Sequence, residues 1–149
     1  MRPPAATRWA RDGARSIDDQ IIALPPGGSG DPRVRLITGG SGVLGQALTA
    51  ELLERGQPVR LLDLSPPRPD LLGRIEYLPG SVLDPELVRR AMAGCEVVYH
   101  LAASMPQAKL TADGFHRLNV GGTMLVAEAA AAAGVRRFVF ASTIEIYGL

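Results

Sequence analysis

Short apolar runs alternate with segments of helical periodicity from Arg33 to the end of the chain. The runs are rich in Val, Leu and Ile, and we predict a buried strand in each, at 34–38, 58–64, 74–80, 96–103 and 135–143. Between them, apolar residues recur every three or four positions and predict helices at 45–56, 84–94 and 112–134. The segment SPPRPDLLG (65–73) is too short and too proline-rich for a full helix. This alternation favours an α/β fold, a doubly wound parallel sheet of about five strands.

Residues 1–32 lack that periodicity. They are rich in Pro, Gly, Arg and Asp and end in LPPGGSGDP, a composition that holds neither a helix nor a strand ladder. We predict a disordered tail or linker here, whose short apolar stretch QIIAL could dock on the domain formed by residues 33–149. A start codon assigned too early would produce the same appearance.

Composition excludes several classes of function. The chain has 149 residues and a net charge of +1, so no basic field favours nucleic acid or an anionic membrane. No apolar run approaches the roughly 20 residues that a membrane-spanning helix needs. The single cysteine, Cys95, cannot form an internal disulfide and suits a reducing compartment, so we expect a cytoplasmic protein with a structural thiol. We predict no metal site.

The loop TGGSGVLG (38–45) lies between the first predicted strand and the first long helix, where a dinucleotide-binding motif belongs. Gly39 allows the tight turn, Gly42 lets backbone N–H groups approach a pyrophosphate, and Gly45 lets the helix pack closely on the strand. The phosphates would then lie at a helix N-terminus, where unpaired N–H groups favour anions. An ordinary glycine-rich loop remains the alternative explanation of this motif alone.

An acid at the end of the second strand strengthens this interpretation. Asp63 follows the glycine loop by about twenty residues, where a carboxylate accepts hydrogen bonds from the adenosine ribose hydroxyls. The same charge would repel a 2′-phosphate, which favours NAD over NADP. Arg68 is close enough in the sequence to keep NADP open.

Several motifs in order resemble one family. With Asp63, the segments TGGSGVLG, HLAA (100–103), NVGGT (119–123) and FASTIEIYG (140–148) resemble the N-terminal, NAD-binding half of an extended short-chain dehydrogenase/reductase of the NAD-dependent epimerase/dehydratase group. The resemblance covers residues 34–149. It implies a Rossmann-type doubly wound sheet, truncated here after strand five.

The resemblance also implies a role for particular residues around the cofactor. Backbone groups of Val43 and Leu44 would join the three glycines at the pyrophosphate, and Ser81, at a position where the family usually has an acid, would lie with Val82 at the adenine. The remaining implied cofactor contacts are Leu101, Ala102 and Ala103 under the ribose and phosphates, Ser142 beside the nicotinamide, and Asn119 near the active site. Asn119 could equally satisfy an irregularity in its own helix, beside Gly121 and Gly122.

The same resemblance implies which residues act on the substrate. Thr143 would hydrogen-bond the substrate oxygen as the catalytic hydroxyl, and Ser104, Met105 and Pro106 could border the substrate. His100 would be structural, and Tyr147 would not be the general base.

The acid/base pair of the family is missing from this sequence. The family uses a tyrosine followed four residues later by a lysine, which lowers the phenol pKa. The tyrosines here are Tyr77, Tyr99 and Tyr147, and the only lysine, Lys109, follows none of them by four residues. We therefore expect the N-terminal half of a longer enzyme, with a sheet face left uncovered after the fifth strand.

Three functions remain open. The first is the NAD-binding portion of an oxidoreductase that transfers hydride to or from a nucleotide sugar or a similar hydroxyl substrate, inactive as this chain alone. It would act as a homodimer or with a complementing C-terminal chain. The second is a non-catalytic NAD(P)-binding regulatory module, and the third is a truncated gene remnant.

Overall fold

A single six-stranded sheet organises the computed structural model, which describes residues 22–23, 34–104 and 108–143. In chain order the strands are β1 (Ile22–Ala23), β2 (Val34–Thr38), β3 (Val59–Asp63), β4 (Glu76–Pro79), β5 (Cys95–His100) and β6 (Arg137–Phe140). Their order across the sheet is β1-β6-β5-β2-β3-β4. β2 to β6 pair in parallel, which confirms the predicted five-stranded sheet, and β1 adds a short antiparallel partner to β6.

Helices connect these strands. They are α1 (Val43–Glu54), α2 (Pro69–Leu72), α3 (Pro85–Ala91), α4 (Ala112–His116), a π-helix (Arg117–Gly122) and α5 (Thr123–Ala132). Asp84 caps α3 by accepting hydrogen bonds from the backbone N–H groups of Glu86 and Leu87, and Pro85 occupies the first helical position, as the sequence predicts. In the described residues, no helix has the length and apolar character needed to cross a membrane.

Helices pack on both faces of the sheet, which makes the fold doubly wound. Leu36, Val98 and Phe138 point from the strands to one face, where Val88 of α3 and Val126 of α5 pack on them. On the other face, Ile37 and Val59 pack against Leu52 of α1. Leu36 and Ile37, which are adjacent on β2, thus face opposite cores, which explains why both positions are apolar.

Arg60 ties α3 to the sheet. Its guanidinium is almost fully buried, donates hydrogen bonds to the carbonyls of Ala91 (2.7 Å) and Ala93 (2.6 Å), and pairs with Glu76 (2.8 Å). A cation at a helix C-terminus satisfies carbonyls that have no intrahelical partner. Arg60, a charged residue inside an otherwise apolar stretch of β3, therefore has a structural role.

Two predicted elements differ from the observed ones in ways that affect the site. The strand predicted at 96–103 ends at His100, and Leu101–Ser104 leaves the sheet. The single helix predicted at 112–134 is interrupted by the π-helix, where the Thr123 hydroxyl donates to the Asn119 carbonyl at 2.6 Å. Smaller differences concern the end residues of the other elements and α2, a single turn inside the proline-rich segment.

The region predicted as a tail contributes β1. Ile22 pairs with Phe138 and Ala23 with Arg137. These two residues belong to the apolar stretch that the sequence offers as a docking segment. The rest of residues 1–33 lies outside the described part of the chain, so the division at residue 32 stays a prediction.

Candidate cofactor-binding site

A cavity of about 500 Å³ opens at the carboxyl ends of the parallel strands. Ligands of open α/β sheets bind at this edge, where the connecting loops diverge. The described residues that line it are Gly39, Ser41, Gly42, Val43, Leu44, Gly45, Leu62, Asp63, Leu64, Ser65, Gly80, Ser81, Val82, Leu101, Ala102, Ala103, Leu118 and Ala141. All predicted cofactor residues except Asn119 and Ser142 are in this set.

Two glycines of the first loop are fixed by close backbone packing. Gly39 has a φ of 71°, and a Cβ atom there would lie 2.6 Å from the Ala102 nitrogen in the segment after β5. A Cβ atom on Gly45 would lie 2.5 Å from the Gly40 Cα atom. Gly39 thus lets two cavity walls meet, and Gly45 lets α1 start directly against its own loop.

Gly42 is constrained differently. It is exposed, its φ is −70°, and the nearest atom to an added Cβ would be the Gly39 oxygen at an ordinary 3.4 Å. The packing of this chain therefore does not require glycine at this position. Gly42 lines the cavity, so we expect a side chain there to interfere with a ligand that approaches the backbone.

The N-terminus of α1 faces the same space. No side chain caps it, and its first turn contains no acidic residue. The first N–H groups of a helix have no intrahelical partner, and they carry a partial positive charge. Together with Gly42, this end of α1 fits a pyrophosphate.

Asp63 lies at the end of β3, held by two backbone groups. One carboxylate oxygen accepts from the Ser41 N–H and the other from the Ser65 N–H, both at 3.0 Å. Each oxygen of a carboxylate can accept a second hydrogen bond. Asp63 is thus oriented by the chain and keeps capacity for two ribose hydroxyls.

Arg68 is occupied elsewhere. Its guanidinium donates two hydrogen bonds to the Asp70 carboxylate, at 3.1 and 3.0 Å, and it is not among the described residues that line the cavity. Arg68, the residue that leaves NADP binding possible in the sequence, is therefore paired with an acid in the structure. The side of the cavity at Asp63 is negative, which disfavours a 2′-phosphate.

The segment after β4 forms the next part of the wall. Gly80 has a φ of 152°, Ser81 is half-buried, and Val82 is buried. The Ser81 hydroxyl oxygen accepts from the Leu83 N–H at 3.1 Å. Gly122 of the π-helix packs against Val82, where an added Cβ atom would come within 3.0 Å of the valine side chain.

Asn119 does not reach the described lining. Its side-chain oxygen accepts from the Ser104 N–H at 2.7 Å, and its amide nitrogen donates to the Ser104 carbonyl at 3.2 Å. Both functional groups of the amide are therefore engaged with the segment after β5. Of the two interpretations that the sequence left open, this geometry favours a structural role, although its partner is a loop and not the irregular helix itself.

His100 connects that segment to the centre of the sheet. Its ring nitrogens lie 2.7 Å from the Thr38 hydroxyl and 2.9 Å from the Thr123 hydroxyl. Because Thr123 gives its proton to the Asn119 carbonyl, Nε2 of His100 carries a proton and Nδ1 accepts from Thr38. Burial lowers the pKa of His100 to about 4, so the ring is neutral and acts as a structural link.

The predicted catalytic hydroxyl lies beyond the cavity wall. Ala141 is the last residue of the described lining, and the exposed Ser142 and Thr143 follow it. The structure thus brings the chain to the cavity just before the two hydroxyls. Met105, Pro106 and Tyr147 lie outside the described residues.

Sequence reasoning missed part of the wall. The lining residues without a predicted role are Ser41, Leu62, Leu64, Ser65, Gly80, Leu118 and Ala141. Most of them are adjacent in the sequence to a predicted site residue, and this adjacency could have identified them. Leu118 has no such signal, because only the packing of the π-helix brings it to the cavity.

Within the described residues, the other reactive groups do not form a second site. In the part of the chain that the structure describes, no three His, Cys, Asp or Glu residues are grouped to hold a metal ion. The Cys95 thiol donates to the Ala91 carbonyl at 3.1 Å, and burial raises its pKa to about 11. Cys95 is therefore an inert structural thiol, as the sequence predicts.

Known proteins share both the sequence and the fold. The model of the NAD dependent epimerase/dehydratase family matches residues 35–149. An uncharacterised protein of Sinorhizobium fredii, y4nG, is 37% identical over 144 residues, which cover 95% of this chain and 34% of that protein. A short-chain dehydrogenase/reductase superfamily protein from Agrobacterium tumefaciens, solved with bound NAD, is 40% identical with a TM-score of 0.70, covering 77% of this chain and 34% of that one. MoeE5, solved with UDP-glucuronic acid and NAD, is 30% identical with a TM-score of 0.68, covering 76% and 38%.

The match to y4nG covers nearly all of this chain but only about a third of the relative. The match to y4nG covers 95% of this chain, so it includes most of residues 1–32, and that segment is shared with the relative. In the other direction, this chain spans 34% of the length of y4nG. The glycine loop, the acid that ends β3 and the family match together show that the chain belongs to the NAD-dependent epimerase/dehydratase family of short-chain dehydrogenases/reductases.

Proposed function

We propose that this chain binds NAD along the carboxyl edge of its sheet. One observation carries the proposal: a single cavity contains two features that suit NAD. The first is the uncapped N-terminus of α1 beside Gly42, a glycine that the packing of the chain does not require. The second, one strand away, is the Asp63 carboxylate, which backbone hydrogen bonds hold in place. These two features suit a pyrophosphate and a ribose at neighbouring positions. The NAD bound to the Agrobacterium tumefaciens protein and to MoeE5 supports the same assignment.

The order of the strand ends gives the order of the contacts. Backbone N–H groups of Val43 and Leu44 would hold the pyrophosphate above α1, and Asp63 would accept from the ribose. The base would lie beyond Asp63, at Ser81 and Val82 after β4, and the nicotinamide half would lie toward Leu101–Ala103 and Ala141. NAD supplies a hydride acceptor when bound, and the surrounding residues position it and exclude water.

For the reaction, we propose hydride transfer from the hydroxyl-bearing carbon of a nucleotide sugar or a similar substrate to NAD, or the reverse transfer to the corresponding carbonyl carbon. Thr143, just beyond the cavity, would orient the substrate oxygen, and Ser142 would lie near the nicotinamide. The UDP-glucuronic acid bound to MoeE5 supports the substrate class. We also propose that the protein is cytoplasmic. It would act as a homodimer or together with a complementing C-terminal chain.

We expect this chain alone to bind NAD without turnover. Lys109 follows no tyrosine by four residues. Burial and the Asp63 carboxylate raise the pKa of Tyr77, which is the opposite of what a phenol general base requires. These facts favour, as a second candidate, a non-catalytic module that binds NAD.

Calorimetric titration of the purified chain with NAD and NADP tests the binding proposal. We expect micromolar affinity for NAD and at least tenfold weaker binding of NADP, because Asp63 opposes the extra phosphate. A folded chain that binds neither dinucleotide would refute the proposal.

A second assay separates the two candidate functions. NADH formation is followed with UDP-glucose and UDP-glucuronic acid, with and without the C-terminal two thirds of a family relative as a separate chain. Turnover only in the presence of the second chain favours the enzyme half. NAD binding without turnover in either mixture favours the module.

A further inference from the structure

Ser81 has a distinctive place in the proposed NAD site. With the pyrophosphate at α1 and the ribose at Asp63, the purine reaches the segment after β4, whose described lining residues are Gly80, Ser81 and Val82. Of these three, only Ser81 has a side chain that forms hydrogen bonds. Leu118, which the π-helix adds to the cavity, is apolar. Among the described residues of this segment, the base would therefore meet one side chain that forms hydrogen bonds, the Ser81 hydroxyl.

Only one of the three hydrogen-bonding positions of this hydroxyl is used within the described residues. The Ser81 oxygen accepts from the Leu83 N–H at 3.1 Å, which fixes the oxygen in a local turn. A hydroxyl has one proton and two lone pairs, so a donor and one acceptor position remain. No hydrogen bond within the described residues uses the proton. The group can rotate to donate or to accept.

We infer that Ser81 makes the base subsite tolerant of the group at position 6 of the purine, so that the chain binds nicotinamide hypoxanthine dinucleotide about as well as NAD. Adenine presents an amino donor and a ring acceptor on this edge. Hypoxanthine presents a carbonyl acceptor and a ring N–H donor. A hydroxyl pairs with either group at position 6, whereas a carboxylate facing position 6 accepts from the amino group of adenine and is opposed by the carbonyl of hypoxanthine. The inference rests on the proposed function.

Titration with both dinucleotides tests this inference, with Ser81→Asp and Ser81→Ala as variants. For the unmodified chain we expect dissociation constants that agree within about threefold, because one hydroxyl satisfies both bases. For Ser81→Asp we expect a preference for NAD of about tenfold or more, because a carboxylate facing a carbonyl leaves two acceptors unpaired. An aspartate at this position can still accept from the Leu83 N–H, so the local turn is kept.

Ser81→Ala is the matched control. It removes the hydroxyl for both ligands, so both affinities should fall by a similar factor and their ratio should stay near one. The comparison uses the ratio of the dissociation constants for the two dinucleotides, because both carry the same phosphates and any repulsion of those phosphates by the aspartate in Ser81→Asp cancels. Urea unfolding of each variant identifies losses caused by misfolding.

The possible outcomes distinguish a failure of this inference from a failure of the proposed NAD binding. A tenfold preference of the unmodified chain for NAD overturns the inference and leaves NAD binding intact. An unchanged ratio in Ser81→Asp places the base elsewhere and also overturns it. If neither dinucleotide binds, the proposed function fails and the inference fails with it.

Discussion

The glycines of the loop between β2 and α1 differ in what a methyl group would meet. At Gly45 it would clash with the backbone of Gly40, whereas at Gly42 it would make one ordinary contact. The sequence shows only their spacing, so it predicts that both matter without separating folding from binding. The difference depends on backbone atoms of the turn itself.

Gly42→Ala should therefore separate the two properties. We expect the free energy of unfolding to fall by no more than about 1 kcal/mol, since φ at this position suits alanine and the only expected cost is that alanine is a poorer N-cap residue than glycine. The dissociation constant for NAD should rise at least about tenfold, because the methyl group obstructs the approach to the α1 backbone. Urea unfolding and calorimetric titration measure the two effects.

Gly45→Ala provides the contrast. Here the backbone of the loop must move, and we expect a loss of at least about 2 kcal/mol of stability. Full NAD affinity in Gly42→Ala would show that the phosphates do not approach this loop.

Asp63→Asn tests the carboxylate that ends β3. An amide keeps one acceptor but turns an N–H₂ group toward one of the two backbone N–H groups that Asp63 now satisfies. We expect NAD affinity to fall by about 10- to 100-fold and NADP affinity to fall less, because the repulsive charge is gone. Glu51→Gln, an exposed acid on α1, should leave both unchanged. An unaltered ratio of the two affinities would argue against ribose binding at Asp63.

The π-helix is the element that the sequence could not anticipate. The glycine pair inside a long periodic segment signals an irregularity, and the sequence suggests that the Asn119 amide could satisfy it. The structure adds what a one-dimensional pattern lacks: the Asn119 amide bonds to Ser104, and the Thr123 hydroxyl joins this turn to His100. Both contacts cross between elements, whereas periodicity reports only on one element at a time.

Thr123→Val should weaken this junction at nearly constant shape. Valine neither accepts from the His100 ring nor donates to the Asn119 carbonyl, and leaving a buried donor unpaired costs about 1–3 kcal/mol. Thr123→Ser keeps the hydroxyl and should lose about 1 kcal/mol or less. Urea unfolding of the two variants measures the difference, and equal losses would mean that the hydroxyl network contributes little.

For the whole molecule, alternating periodicity was sufficient to predict the class of fold. The apolar runs became the five parallel strands with end residues shifted by a few positions, because apolar content does not show where the backbone turns away from the sheet. The segment after His100 is the clearest case. Its residues Leu101–Ala103 are as apolar as a strand, but they line the cavity.

The pH dependence of global stability should carry the signature of His100. Its folded pKa of about 4 lies below the unfolded value near 6.5, so its contribution is fully present above pH 6.5 and is lost as the pH falls toward 4. The slope should be about 1.4 kcal/mol per pH unit across this range. Urea unfolding at several pH values measures it.

The two histidines of the chain make the comparison direct. His100→Gln should remove this part of the slope, and His116→Gln, at an exposed position, should keep it. Parallel curves for all three proteins would contradict a buried neutral His100.

The central position of β2 also has a consequence for synthesis. Its hydrogen-bond partner on one side, β3, follows closely in the chain, but contacts with β5 join residues 62 positions apart, such as Thr38 and His100. At about 5–20 residues per second, the ribosome delivers β5 roughly 3–12 s after β2. During that interval one side of the central strand has no partner and can pair with other nascent chains. Such non-local pairing also slows folding, so we expect the yield of native protein to depend on chaperones that occupy this edge until His100 emerges.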